Sequence, residues 1–131
     1  MGETLMTAYR TPLKQARGLG SAKEGTGHFW QQRLTGAANV ILIAFLIYAA
    51  VSLAGASRAE VVAFFSHPLA AILGILLAIS VSVHMRIGMQ VIIEDYLHGV
   101  WSVLALLLNT FFSIFIAAAT VLAVMKLFLG M

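Results

Sequence analysis

The sequence predicts an all-α membrane protein with three transmembrane helices, and composition, the placement of charge and the length of the charge-free runs all point there. Of 131 residues, 61% are hydrophobic and only 10% are charged, against roughly one-quarter charged in ordinary soluble domains. A chain so poor in charge cannot cover its apolar surface in water. Crossing a hydrocarbon core of about 30 Å takes roughly 20 apolar residues at about 1.5 Å each. Three stretches, at about 34–54, 68–93 and 100–126, meet that demand.

Residues 1–32 read as a polar N-terminal segment carrying Gly18, Gly20, Gly25 and Gly27, flexible or ordered only by a partner. Residues 33–131 form the three-span membrane domain. Arg10, Lys14, Arg17, Lys23 and Arg33, five of the eight basic residues, precede the first span. By the positive-inside rule they place the N-terminus in the cytoplasm or its equivalent, and three spans then carry the C-terminus to the opposite, periplasmic side. They also account for the net charge of +3 without a nucleic-acid partner. Neither a cleavable signal peptide nor an Arg- and Ser-rich transit peptide is recognisable, which favours a bacterial inner membrane over a mitochondrial one.

The first span, LTGAANVILIAFLIYAAVSL, is free of charge, with Arg33 at its mouth, able to snorkel or to bind an anion. After it come Arg58 and Glu60, and AEVVAFF has a helical rhythm, which suits a short interfacial helix, and Pro68 suits the first turn of the next helix. The second span is uncharged through Val83, then continues as HMRIGMQVII to Glu94 and Asp95. The third is charge-free for longer than a bilayer requires, so it is expected to tilt or protrude before Lys126. There is no internal repeat, which argues against a transporter built from inverted halves.

With no cysteine, disulfides, iron–sulfur clusters and thiolate metal sites are excluded. His84 and Arg86 lie within the second span, where ionisable groups are costly enough to suggest function. Two readings stand: His84 hydrogen-bonds a neighbouring helix and Arg86 snorkels, or His84 is a ligand. Gly88, one turn on, leaves a slot for a flat group or for another helix. Haem suits such a slot, and a two-histidine haem would need its second ligand from another chain. Gly36, Ala37, Ala38, Gly74 and Ser82 permit close helix approach, either within this chain or in a larger multi-subunit bundle. Glu94, Asp95, Tyr96 and His98 collect at the cytoplasmic end of the second span. They form either a solvated aromatic belt or a quinone site, with a phenol donating to a carbonyl and neighbouring groups relaying protons. His28, Trp30 and Arg33 enter the membrane on the same side, as interfacial anchors or as partners for haem propionates.

His84-x-x-x-Gly88 followed by Asp95-Tyr96, and preceded by Arg33-x-Thr35-Gly36, resembles the small membrane-anchor subunit, the D-subunit type, of succinate dehydrogenase, respiratory complex II. The resemblance covers nearly the whole chain. It implies that His84 is an axial ligand to the iron of haem b, shared with a histidine of a companion C-type anchor subunit. It implies that Tyr96 hydrogen-bonds ubiquinone with Asp95 beside it, and that Arg33, and less securely His28, lie near the haem propionates and quinone pocket. Arg86 and His98 remain supporting candidates. The chain would then be a non-flavin subunit of the enzyme: a flavoprotein subunit oxidises succinate, an iron–sulfur subunit carries the electrons, and this chain docks both to the lipid bilayer. A fumarate reductase anchor is the nearest alternative. A non-redox transporter or assembly factor, with Arg86 and Asp95 along a polar path, is the more distant one.

Overall fold

A computed structural model describes residues 12–17 and 25–131. Most of the polar N-terminal segment, including Arg10 and Lys23, lies outside the described residues. Those described are helical, with no strand: α1 (Pro12–Ala16), α2 (Gly25–Ser52), α3 (Arg58–Phe65), α4 (Pro68–Tyr96) and α5 (Val100–Phe128). Helices α2, α4 and α5 are each long and apolar enough to cross a membrane, and the protein is accordingly an integral membrane protein.

Helix α2 starts at Gly25, more than two turns before the apolar run that marks the first span. Nothing between Gly27 and Leu34 breaks a helix, and the Arg33 guanidinium lies 4.5 Å from the centre of the Phe29 ring one turn back, a cation–π pair at helical spacing. The polar residues therefore extend the span as its protruding end instead of belonging to a tail. At 28 and 29 residues the three long helices measure about 42–44 Å, so all of them, and not only α5, exceed the hydrocarbon thickness.

The expected interfacial helix forms as α3. Ser57 caps it in an extended conformation. Its hydroxyl accepts from the Glu60 backbone N–H at 3.4 Å, while the Glu60 carboxylate accepts from the Ser57 backbone N–H at 2.7 Å, a reciprocal capping box. Pro68 opens α4 in its first turn, where its missing N–H costs nothing. Between α4 and α5 the chain reverses through Leu97–Gly99. Gly99 has φ +65°, a backbone conformation that residues with a Cβ adopt at a cost.

Helix α4 is the middle of the molecule. It packs against α2 on one side and α5 on the other, whereas α2 and α5 do not meet. Small residues permit both contacts: Gly36 of α2 lies against the His84 ring, and Gly74 of α4 lies against Val124 of α5 and Phe65 of α3. Ser82 is buried too, while Ala37 points outward. Three of these small positions thus serve packing within the chain. Much apolar surface is left over, because only 33% of the apolar window of α4, 17% of that of α2 and 11% of that of α5 is buried.

Candidate functional site

The antiparallel α2–α4 seam is stitched by polar groups one turn apart. Deepest in the membrane, the Ser80 hydroxyl donates to the Asn39 side-chain carbonyl at 2.7 Å, both residues being buried. One turn toward the N-terminal end of α2, Thr35 Oγ1 lies 3.1 Å from His84 Nδ1. A further turn on, the Gln32 side-chain nitrogen faces the bare Cα of Gly88; a Cβ built there would stand 3.5 Å from it. The slot at Gly88 thus faces α2, with the Gln32 side chain bordering it.

Helical register explains why these residues meet. Pairs 39–80, 35–84 and 32–88 step in opposite directions by three or four residues, the spacing that keeps side chains on one helix face. Continued outward, the same register brings Gly25 level with Asp95.

His84 is half-buried, its ring beside Gly36, where a Cβ would lie 3.5 Å from Cε1. Thr35 Oγ1 also approaches the Gln31 carbonyl oxygen at 2.7 Å. A carbonyl can only accept, so the threonine hydrogen is directed to Gln31 and its lone pair faces the imidazole. Nδ1 then carries the histidine proton and donates it to Thr35. Nε2 is left with a free lone pair, the form of imidazole that binds a metal. The donor chemistry at His84 thus fits an axial haem ligand.

Toward the N-terminal end of α2, His28, Phe29, Gln32 and Arg33 of α2 with Ile87 and Val91 of α4 line a cavity of about 370 Å³. Gln32 Oε1 is buried there with no hydrogen-bond partner, an acceptor that a bound donor or water would satisfy. The structure thus brings His28 and Arg33 into one cavity, beside the seat of His84. It does not bring Asp95, Tyr96 and His98 into it: all three are exposed at the end of α4 and in the turn that follows, with Tyr96 at 79% exposure. Trp30 is exposed as well.

Arg86 points elsewhere. Its carbonyl accepts from the Asn109 side-chain nitrogen at 2.9 Å, and with Ser82 and Ser113 it lines a separate cavity of about 120 Å³ between α4 and α5. Two residues after His84 on a helix means roughly 200° around it, so Arg86 serves the opposite seam. The roles of Gln32, Asn39, Ser80 and Asn109 were not anticipated from the sequence. A polar residue inside an apolar span is the signal that marks them, since in lipid such a group must find a partner.

Residues 7–125 match the family described as succinate dehydrogenase/fumarate reductase transmembrane subunit. A curated relative from Paracoccus denitrificans, a succinate dehydrogenase hydrophobic membrane anchor subunit, is 33% identical over 122 residues, covering 93% of this chain and 95% of the relative. A protein of the same description from Rickettsia bellii (strain RML369-C) is 29% identical over 89 residues, 68% of this chain and 71% of that one. No solved structure gives a significant match. Three membrane-length helices, a single histidine seated between two of them and a match along nearly the whole chain lead to one conclusion: this protein belongs to the family of succinate dehydrogenase and fumarate reductase transmembrane subunits.

Proposed function

We propose that the chain is the hydrophobic membrane-anchor subunit of a succinate:quinone oxidoreductase. The near end-to-end similarity to the Paracoccus denitrificans anchor subunit carries this reading. Residues 33–131 act as the membrane domain, in a bacterial inner membrane with the N-terminus cytoplasmic and the C-terminus periplasmic, as the charge before the first span requires.

In this reading His84 would hold the iron of haem b through Nε2, with the second ligand supplied by a companion C-type anchor subunit. When bound, the haem supplies one-electron redox chemistry within the membrane. Arg33 and His28 lie where propionates would emerge at the polar boundary, with a guanidinium suited to carboxylates. Tyr96 donates its phenolic hydrogen to a ubiquinone carbonyl, and Asp95 beside it helps to conduct the two protons that quinone takes up with two electrons. The exposure of Tyr96 agrees with a site completed by other subunits. Succinate oxidation belongs to the flavoprotein subunit, electrons arrive through an iron–sulfur subunit, and both dock on the cytoplasmic face. The family description includes fumarate reductases; the direction of turnover then follows from the potentials of the quinone and the haem.

The complex purified through this chain should give a b-type haem signal in a dithionite-reduced minus oxidised spectrum, with flavoprotein and iron–sulfur subunits present on the gel. His84→Ala should abolish or shift that signal. Neither haem nor partner subunits in the purified material would overturn the anchor reading and leave the transporter or assembly-factor class.

A further inference from the structure

The contact between Thr35 and His84 supports an inference that rests on the haem reading above. We infer that Thr35 is a positioning residue for haem ligation: it holds His84 in the tautomer and ring orientation that a metal requires, and it tunes how strongly the imidazole donates to iron.

A neutral imidazole has two tautomers of similar energy, and only the one with its proton on Nδ1 presents a lone pair at Nε2. In lipid nothing but the protein chooses between them. Here the choice is made by a relay of three groups. The Gln31 carbonyl, 2.7 Å from Thr35 Oγ1, takes the hydroxyl hydrogen, and the hydroxyl oxygen, 3.1 Å from Nδ1, accepts the imidazole hydrogen. Reversing the tautomer would point two acceptors, Thr35 Oγ1 and Nδ1, at each other unless the hydroxyl abandoned its carbonyl partners, Gln31 at 2.7 Å and Gln32 at 3.2 Å. Gly36 borders the same ring, since a Cβ added there would stand in van der Waals contact with Cε1 at 3.5 Å.

The ordinary role of threonine in a membrane helix is to bond its own backbone one turn back. Thr35 does that with the Gln31 and Gln32 carbonyls, yet a further contact goes to a side chain on another helix, 49 residues along the chain. Metal-bound histidines usually donate their other N–H to an acceptor, which fixes the ring and raises ligand basicity. A hydroxyl already donating to a carbonyl is a better acceptor than a free one, since hydrogen bonds in a chain polarise one another. The relay therefore makes Nε2 more electron-rich and favours ferric over ferrous iron.

The test uses the complete complex, with Thr35→Val, Thr35→Ala and Thr35→Ser in this chain. Val keeps the volume and removes the relay, Ala removes the relay without adding bulk should Val disturb assembly, and Ser keeps a hydroxyl. The readouts are haem content, the midpoint potential from a redox titration, and the anisotropy of the ferric low-spin EPR signal. Val and Ala should raise the midpoint potential, by about 59 mV for each tenfold loss of preference for ferric iron, and alter the EPR signal. Ser should restore both toward wild type. A haem-loaded Val or Ala complex with wild-type potential and EPR signal would overturn this inference alone. A wild-type complex without haem, or with haem indifferent to His84→Ala, would overturn the haem reading and the inference with it.

Discussion

Tyr96 and His84 occupy contrasting surroundings that suit different tasks. Tyr96 is 79% exposed, so its hydroxyl is open to whatever approaches that end of α4. His84 is half-buried between helices, with one nitrogen already committed. If Tyr96 donates to quinone, Tyr96→Phe removes one hydrogen bond worth about 1–1.5 kcal/mol, so quinone reduction should slow by roughly five- to tenfold. Succinate oxidation by an artificial acceptor should stay at the wild-type rate, because that reaction does not reach the membrane. An unchanged quinone rate would remove Tyr96 from the site. His84 as a candidate was legible from sequence, because an imidazole in an apolar run is conspicuous. Thr35 was legible only as part of a motif. Its partnership with His84 depends on the register between two helices 49 residues apart, and no local pattern encodes that.

The spans were legible at the scale of elements because uninterrupted hydrophobicity is a strong and one-dimensional signal. Their ends were less so. Helix α2 continues through Gly25–Gln32 because helix propagation needs only the absence of a breaker, whereas hydropathy stops where the apolar residues stop. Helix α3 rests on different physics, since the Ser57–Glu60 capping box does for it what length does for the spans. The two hydrogen bonds from Ser57, backbone first and then side chain, hold the Glu60 carboxyl below its ordinary value of 4.5. A lowered folded pKa means that the carboxylate stabilises α3 fully above the ordinary value, and that this support disappears as pH falls through the lowered one. Amide exchange in α3 should therefore accelerate under acid conditions before exchange in α4 does. Ser57→Ala should cost about 1 kcal/mol of local stability and make exchange in α3 fast already at neutral pH. Equal protection in wild type and variant would show that packing against α4 and α5, and not the cap, holds the helix.

For the whole molecule, the leftover apolar surface is the dominant fact. No large side chain among the described residues is fully buried, and even the central helix buries only a third of its apolar window. In lipid such faces are stable against acyl chains, but they give a detergent-solubilised monomer little to hold it together. Expressed alone and extracted, the chain should elute as heterogeneous oligomers and lose helicity at a lower temperature than when co-expressed with a companion anchor subunit. A monodisperse, equally heat-resistant solitary chain would argue that the bundle needs no partner. The sequence could suggest this dependence from composition, but not which faces remain open. Because α2 and α5 do not meet, α5 acts on the His84 seat most directly by turning or sliding α4, while α3, which packs on α5 and stacks Phe64 on Phe45 of α2, links them at the far end. The Asn109 side chain grips the α4 backbone at Arg86, just two residues beyond His84. The third span is thus a lever arm on the histidine: torque applied to it by lipid or a neighbouring subunit would travel along the α4 shaft to the imidazole, with α3 bracing the opposite end of the bundle.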